Sequence, residues 1–125
     1  MKSPAHRDHP DHKVVESHAK GRVTAAVDGE IVADSSDVVR VDEDGSPPRY
    51  YFPRADVKMD RLARTDTTSV CPFKGKASYY SVQAGGRTIR DAVWSYEEPF
   101  EEHAGLANRI AFWSEKDPGI AIRTE

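Results

Sequence analysis

The chain has 125 residues, of which 38% are hydrophobic and 31% are charged, and its mean hydropathy is −0.69. This length has room for one compact domain, and the composition excludes a disordered chain or a bundle of membrane spans. Eighteen Lys and Arg residues against 21 Asp and Glu residues give a net charge of −3, so neither nucleic acid nor a membrane is expected as a partner.

The aliphatic residues favour a mainly β fold. The chain has 12 Val and 5 Ile residues but only 2 Leu residues, and β-branched side chains suit strands better than helices. We therefore expect an antiparallel sheet with one or two short helices. The single cysteine cannot form an internal disulfide, and the sequence shows no apolar signal segment, which predicts a cytoplasmic location.

Residues 1–20 are predicted to form a flexible N-terminal arm. They carry four of the five histidines, and the spacing of His6, His9 and His12 could chelate a metal ion. A functional metal site requires a rigid scaffold, which a terminal arm with prolines does not provide, so we predict none. Residues 21–116 are then a single β-rich domain, and residues 117–125 are a tail or a last strand.

The first predicted hairpin spans residues 22–33. Asp28-Gly29 lies between two β-prone runs, and this dipeptide tolerates the positive φ of a two-residue turn. A short strand at residues 38–41 follows. The acidic run at residues 42–48, rich in Gly and Pro, predicts an exposed turn.

A second hairpin is predicted around Gly85-Gly86, after a strand at residues 57–62 and a polar loop at residues 65–69. In this register Val82 faces Ile89 across the strand pair, and Tyr79 faces Ala92. Alternation along the strands then places Tyr80, Val82 and Val93 on one face, and Tyr79, Ala92 and Trp94 on the other. Residues 110–113 form either a strand or, together with Leu106, a short helix.

All eleven aromatic residues lie between Tyr50 and Trp113. Basic residues are interleaved with them, and guanidinium groups bind carboxylates or phosphates while flat rings stack on other π systems. The interpretation is a pocket for a small anionic or aromatic ligand, lined by Arg49, Tyr51, Arg54, Tyr79, Tyr80, Trp94 and Tyr96. Two alternatives stay open. The aromatic residues can be ordinary core with arginines covering it, or an exposed patch that binds another protein or a second copy of the chain.

Cys71 and Lys74 are the candidate catalytic residues. A nearby ammonium or guanidinium group lowers the pKa of a thiol and makes it a nucleophile, so the pair suggests an enzyme. No base is placed near Cys71 by spacing, however, and a lone cysteine also serves as a small buried hydrophobe. The sequence predicts no cofactor.

Three segments, at residues 49–57, 68–80 and 94–99, together resemble a family of bacterial and fungal proteins, domain of unknown function 427. The Cys-Pro-Phe-Lys-Gly run at residues 71–75 is the most distinctive part, and the resemblance extends from about Arg22 to Trp113. It implies a single barrel-like or tent-like β domain and no established reaction.

Some classifications give this family a nucleotidyltransferase-like label. Nucleotidyl transfer requires carboxylates that hold divalent metal ions against a triphosphate. Only Asp42-Glu43-Asp44 offers such a group, within the predicted exposed turn, and the sequence has no Gly-rich phosphate loop.

Overall fold

The computed structural model describes residues 1–125 and contains ten strands. In chain order the strands are β1 (Val14–His18), β2 (Val23–Val27), β3 (Glu30–Ser35), β4 (Val39–Glu43), β5 (Arg49–Phe52), β6 (Leu62–Cys71), β7 (Gly75–Ala84), β8 (Arg87–Ser95), β9 (Ile110–Phe112) and β10 (Ile120–Thr124). One short α-helix, α1 (Pro4–Asp8), precedes them. The remaining helical elements are four 3-10 turns, at Arg54–Asp56, Met59–Arg61, Glu101–Leu106 and Ser114–Lys116.

The strands form two antiparallel sheets, which confirms the mainly β prediction. The larger sheet has the order β1-β4-β5-β9-β8-β7-β6, and the smaller one has the order β10-β2-β3. The larger sheet is open, with β1 and β6 at its two edges. None of the helices has the length and hydropathy needed to cross a lipid bilayer.

Both predicted hairpin turns are present. Asp28 and Gly29 connect β2 to β3 with φ values of 49° and 88°, and Gly85 and Gly86 connect β7 to β8 with φ values of 61° and 80°. Two consecutive residues with positive φ match the right-handed twist of the flanking strands. Turn chemistry therefore positions both hairpins.

The second hairpin keeps the predicted register only near its turn. Val82 pairs with Ile89 as expected, but the register then shifts and Tyr79 pairs with Trp94. The prediction that Tyr79 faces Ala92 is wrong. Asp91 has a φ of 54° and lies in the β8 segment where the register shifts. This irregularity turns Ala92 into the same core as Val82.

Two further local predictions are wrong. Residues 57–62 form a 3-10 turn at Met59–Arg61 rather than a strand, and residues 65–69 lie inside β6 rather than in a loop. The hydroxyls of Thr65 and Thr67 donate to the Asp91 carboxylate at 2.5 and 2.7 Å. These long-range bonds hold the polar segment in the sheet.

Both ends of the chain pair with the sheets. Strand β1 pairs with β4, and β10 pairs with β2. The division into arm, domain and tail stays a prediction. The run at residues 110–113 forms β9, so the strand alternative holds there.

The larger sheet has apolar side chains on both faces. The main core of 18 buried residues includes Phe52 and Ile110, whereas a second core of seven includes Tyr51 and Ala111. Neighbouring residues on a strand point to opposite faces, so the two cores lie on opposite faces of the sheet. The second core supports the site described next.

Candidate functional site

A cavity of about 210 Å³ adjoins the second core. Its walls come from β4, β5, β7 and β8, from the connection between β4 and β5, and from the residues that directly precede β7 or follow β8 and β9. The lining residues are Val41, Glu43, Ser46, Arg49, Tyr51, Lys74, Tyr79, Trp94, Tyr96 and Trp113. The cavity thus combines aromatic walls with three charged side chains.

Two buried tyrosines and a tryptophan form the inner wall. The Trp94 indole N–H donates to the Tyr51 hydroxyl at 3.1 Å, and the two rings meet edge to face with centroids 6.1 Å apart. The Tyr96 ring lies 6.3 Å from that of Tyr51. Burial strongly raises the pKa of both tyrosines, so each hydroxyl keeps its proton and can donate it.

Arg49 lies at the rim of the cavity. Its guanidinium carbon is 5.5 Å from the centroid of the Trp94 ring, and Nη1 donates to Glu115 Oε1 at 2.6 Å. The guanidinium group carries five N–H donors. Because the contact with Glu115 uses one of them, the others remain available to a ligand.

Lys74 and Glu43 form an ion pair in the cavity wall. The Lys74 ammonium is buried and donates to Glu43 Oε1, while His12 Nε2 lies 3.0 Å from Glu43 Oε2. Burial alone would raise the pKa of Glu43, but hydrogen bonds from Lys74 and His12 outweigh it and hold the pKa below its usual value. Glu43 is therefore ionised at neutral pH, with both oxygens occupied.

The cavity brings together six of the nine candidate residues: Arg49, Tyr51, Lys74, Tyr79, Trp94 and Tyr96. Arg54 and Tyr80 lie elsewhere. The Tyr80 ring packs in the main core, on the opposite face of the sheet, and the Arg54 guanidinium lies 5.7 Å from it and donates to its hydroxyl at 3.2 Å.

Cys71 is a free, half-buried thiol that packs against the second core without lining the cavity. No hydrogen bond joins its sulfur to another side chain, and a catalytic role for Cys71 stays a prediction. Of the two candidate catalytic residues, only Lys74 reaches the cavity.

Sequence reasoning missed four lining residues: Val41, Glu43, Ser46 and Trp113. Glu43 is the important one, since its run was predicted to be an exposed turn. It is instead the last residue of β4, and its side chain is only 18% exposed. Alternation along that strand places Val41 and Glu43 on one face, and this signal could have found it.

The alternative of an exposed aromatic patch that binds another protein stays a prediction. The large exposed hydrophobic residues are Met1, Val15, Ile31 and Val70, and none of them is aromatic. A homodimer stays a prediction. No group of three or more His, Cys, Asp or Glu side chains in the chain is arranged to hold a metal ion.

A family model described as a domain of unknown function (DUF427) matches residues 15–121. No curated protein matches the chain. The matched range includes every residue that lines the cavity.

Proposed function

The chain belongs to the family described as domain of unknown function (DUF427), and we propose that it binds a small planar ligand that carries an anionic, acceptor-rich group such as a carboxylate or a phosphate. The site of binding is the cavity between Arg49, Lys74 and Trp94. The family description names no activity, so the proposal rests on the chemistry of the cavity walls.

The observation that carries the proposal is an unused hydroxyl. Tyr96 makes no side-chain hydrogen bond to the protein, although every fully buried side-chain polar atom in the structure has a partner. Its hydroxyl is therefore reachable from the cavity that it lines. The Tyr51 hydroxyl accepts from Trp94 but donates to no protein atom. Two phenol donors are thus free to meet a ligand acceptor.

The charged groups add to this excess of donors. Arg49 and Lys74 each use one side-chain contact on a carboxylate and keep their remaining N–H groups. The Glu43 carboxylate has a partner on each of its oxygens. The cavity therefore suits a ligand with acceptor oxygens. A protonated amine would meet mainly hydrogen-bond donors, and those of Arg49 and Lys74 carry the same positive charge as the amine.

The shape of the site favours a single planar ring. Trp94, Trp113 and Tyr79 supply flat aromatic surfaces, on which a ring can stack. The volume of about 210 Å³ lies below the range of roughly 300–1,000 Å³ that is typical of sites for drug-sized ligands. We therefore expect a ligand of monocyclic size.

Intrinsic fluorescence tests the proposal directly, because Trp94 and Trp113 are the two tryptophans of the chain and both line the cavity. Benzoate and phenyl phosphate are titrated as probes, with benzamide, benzylamine and acetate as comparators. We expect the two aromatic anions to change the emission with a Kd of about 1 mM or lower. Benzylamine and acetate should bind at least about tenfold more weakly.

Two arginine variants make the test specific. Arg49→Gln removes the guanidinium group above Trp94, while Arg40→Gln removes a similar group that lies 5.8 Å from the Tyr50 ring outside the cavity. Binding should weaken in the first variant and persist in the second. If neither aromatic anion changes the emission, or if both variants respond alike, the proposed site is wrong.

An acid–base or nucleophilic role for Lys74 is the second candidate, favoured by its buried ammonium group, which pairs with Glu43 in the cavity wall. Benzaldehyde followed by borohydride would trap a nucleophilic lysine as a benzylated amine, located by peptide mass spectrometry. Selective labelling of Lys74 over exposed Lys76 would support this role. Equal or absent labelling would contradict a nucleophilic role for Lys74, and ligand binding would remain the proposed function.

A further inference from the structure

Two histidine side chains from remote parts of the chain lie within hydrogen-bond distance of each other. His6 Nε2 and His103 Nε2 are 2.7 Å apart, and His103 Nδ1 lies 2.5 Å from Glu16 Oε2. His6 belongs to α1, Glu16 to β1, and His103 to the 3-10 turn Glu101–Leu106. His103 is only 3% exposed. This chain of three side chains joins elements that are remote in sequence.

The geometry allows one proton between the rings. The Glu16 carboxylate accepts, so we assign a proton to His103 Nδ1. Then either His6 donates to a neutral His103, or a charged His103 donates to a neutral His6. When both rings are protonated, two N–H donors and two positive charges meet at hydrogen-bond distance, and the contact is lost.

The charged surroundings of the pair are mixed. His12, Glu102 and Glu43 also act on His6, and the acidic groups favour its protonation. Burial, followed by the charge of His103, outweighs them and lowers the pKa of His6 below 6.5. Because the pKa of His6 is lower in the folded state, its neutral form stabilises the contact above pH 6.5. This contribution to the free energy of unfolding is lost as the pH falls.

The same N-terminal segment, residues 1–13, packs against the loop that leads to Lys74. The rings of His6 and His12 lie 4.9 and 4.3 Å from that of Phe73, and the Ser3 hydroxyl donates to the Pro72 carbonyl at 2.6 Å. His12 also contacts Glu43 in the cavity wall. Release of this segment would therefore remove the contact of His12 with Glu43 in the cavity wall. It would also remove the contacts that hold the loop before Lys74.

We propose that His6, His103 and Glu16 form a proton-operated latch, which holds the N-terminal segment against the sheet at neutral pH and releases it when both rings are protonated. Its effect on the cavity rests on the proposed function, whereas the release itself does not. Because the pKa of His6 lies below 6.5 in the folded protein, we expect release only as the pH falls below that value.

Amide hydrogen exchange of the intact protein, read by mass spectrometry with EDTA present, tests the latch. After correction for intrinsic rates, protection of residues 1–13 should fall about tenfold or more between pH 8 and pH 5.5. Protection of β8 (Arg87–Ser95) should not change. Equal protection of the segment at both pH values would overturn the proposal.

A matched pair of variants separates the latch from general histidine titration. His6→Gln keeps a group that can donate to or accept from His103 but does not titrate, so protection should become independent of pH. His9→Gln alters a neighbouring histidine whose side chain makes no hydrogen bond, and should behave like the wild type. If His6→Gln does not fold, imidazole ¹⁵N shifts of the wild type serve instead, and an unprotonated His103 Nδ1 at pH 8 would overturn the proposal.

Benzoate binding at the same two pH values tests the link to the cavity, since carboxylates of this type stay ionised at pH 5.5. Its Kd should rise at least about fivefold at pH 5.5 in the wild type, and should stay nearly constant in His6→Gln. If exchange responds to pH but benzoate binds at neither value, the proposed function fails and the latch stands. If benzoate binds but the protection of residues 1–13 does not depend on pH, the proposed latch is wrong.

Discussion

Glu43 and Lys74 are 31 residues apart in the chain, yet their side chains form an ion pair. Glu43 ends β4, and Lys74 directly precedes β7, which is not a neighbour of β4 in the sheet. The pair therefore links two strands of the larger sheet that have three other strands between them. Because both residues also line the cavity, the same contact contributes to stability and to the character of the site.

Replacing Lys74 with Met should destabilise the fold. The variant leaves the Glu43 carboxylate, with its side chain 18% exposed, without its ammonium partner. We expect the free energy of unfolding in urea at pH 7 to fall by about 1–3 kcal/mol. The pKa of Glu43 is lowered in the fold, so this difference should shrink as the pH falls below 4.5.

The exposed Lys76 provides the control for this prediction. Lys76→Met should change the free energy of unfolding by no more than about 0.5 kcal/mol. Adding Glu43→Gln to the Lys74 variant should restore part of the loss, because no buried charge is then left unpaired. A similar loss for both lysine variants would show that the ion pair does not stabilise the protein.

The two buried tyrosines should respond differently to removal of their hydroxyls. Tyr51→Phe deprives the buried Trp94 indole N–H of its acceptor, which should cost about 1–2 kcal/mol of unfolding free energy. Tyr96→Phe breaks no hydrogen bond within the protein, so stability should change little while benzoate binding weakens. Urea unfolding and tryptophan fluorescence measure the two effects. A larger stability loss for Tyr96→Phe would contradict this assignment.

The sequence predicted those parts of the fold that depend on neighbouring residues. Asp28-Gly29 and Gly85-Gly86 are turns because these residues accept positive φ, whatever else the chain does. The position of residues 65–69 within β6 could not be predicted in this way. Thr65 and Thr67 bind Asp91, which is 26 residues from Thr65, and no local pattern records such a contact.

Part of the candidate site could be predicted from the alternation of side chains between the two faces of a strand. Tyr79 and Tyr80 are adjacent on β7, so only one of them can face the cavity, and the structure places Tyr79 there. The same rule would have kept Glu43 with Val41. The contacts of His12 with Phe73 and Glu43 were beyond prediction, because they depend on how the N-terminal segment crosses the sheet.

Asp117 should titrate far below an ordinary carboxyl. Hydrogen bonds from Arg87 and from the Gly119 amide lower the pKa of Asp117 to about 2. Stability from this group is present above the usual value of 3.8 and is lost as the pH falls through 2. In Arg87→Gln, carboxyl ¹³C shifts should show the pKa of Asp117 returning towards 3.8, whereas Arg90→Gln should leave it low. An unchanged pKa in the first variant would refute the role of Arg87.

Replacement of Asp91 should lower the free energy of unfolding, and the order of stability of two variants tests the physical cause. Its carboxylate accepts from Thr65 and Thr67, and its backbone has a φ of 54°, where a side chain is disfavoured by about 1–2 kcal/mol. Asp91→Ala loses both hydrogen bonds and keeps the backbone cost, so unfolding free energy should fall by about 2–3 kcal/mol. Asp91→Gly loses the same bonds but relieves the backbone, so it should be about 1 kcal/mol more stable than the Ala variant. Urea unfolding of both, with exposed Arg90→Ala as the control, measures the order. If the Gly variant is the less stable one, the positive φ of Asp91 does not carry the expected backbone cost.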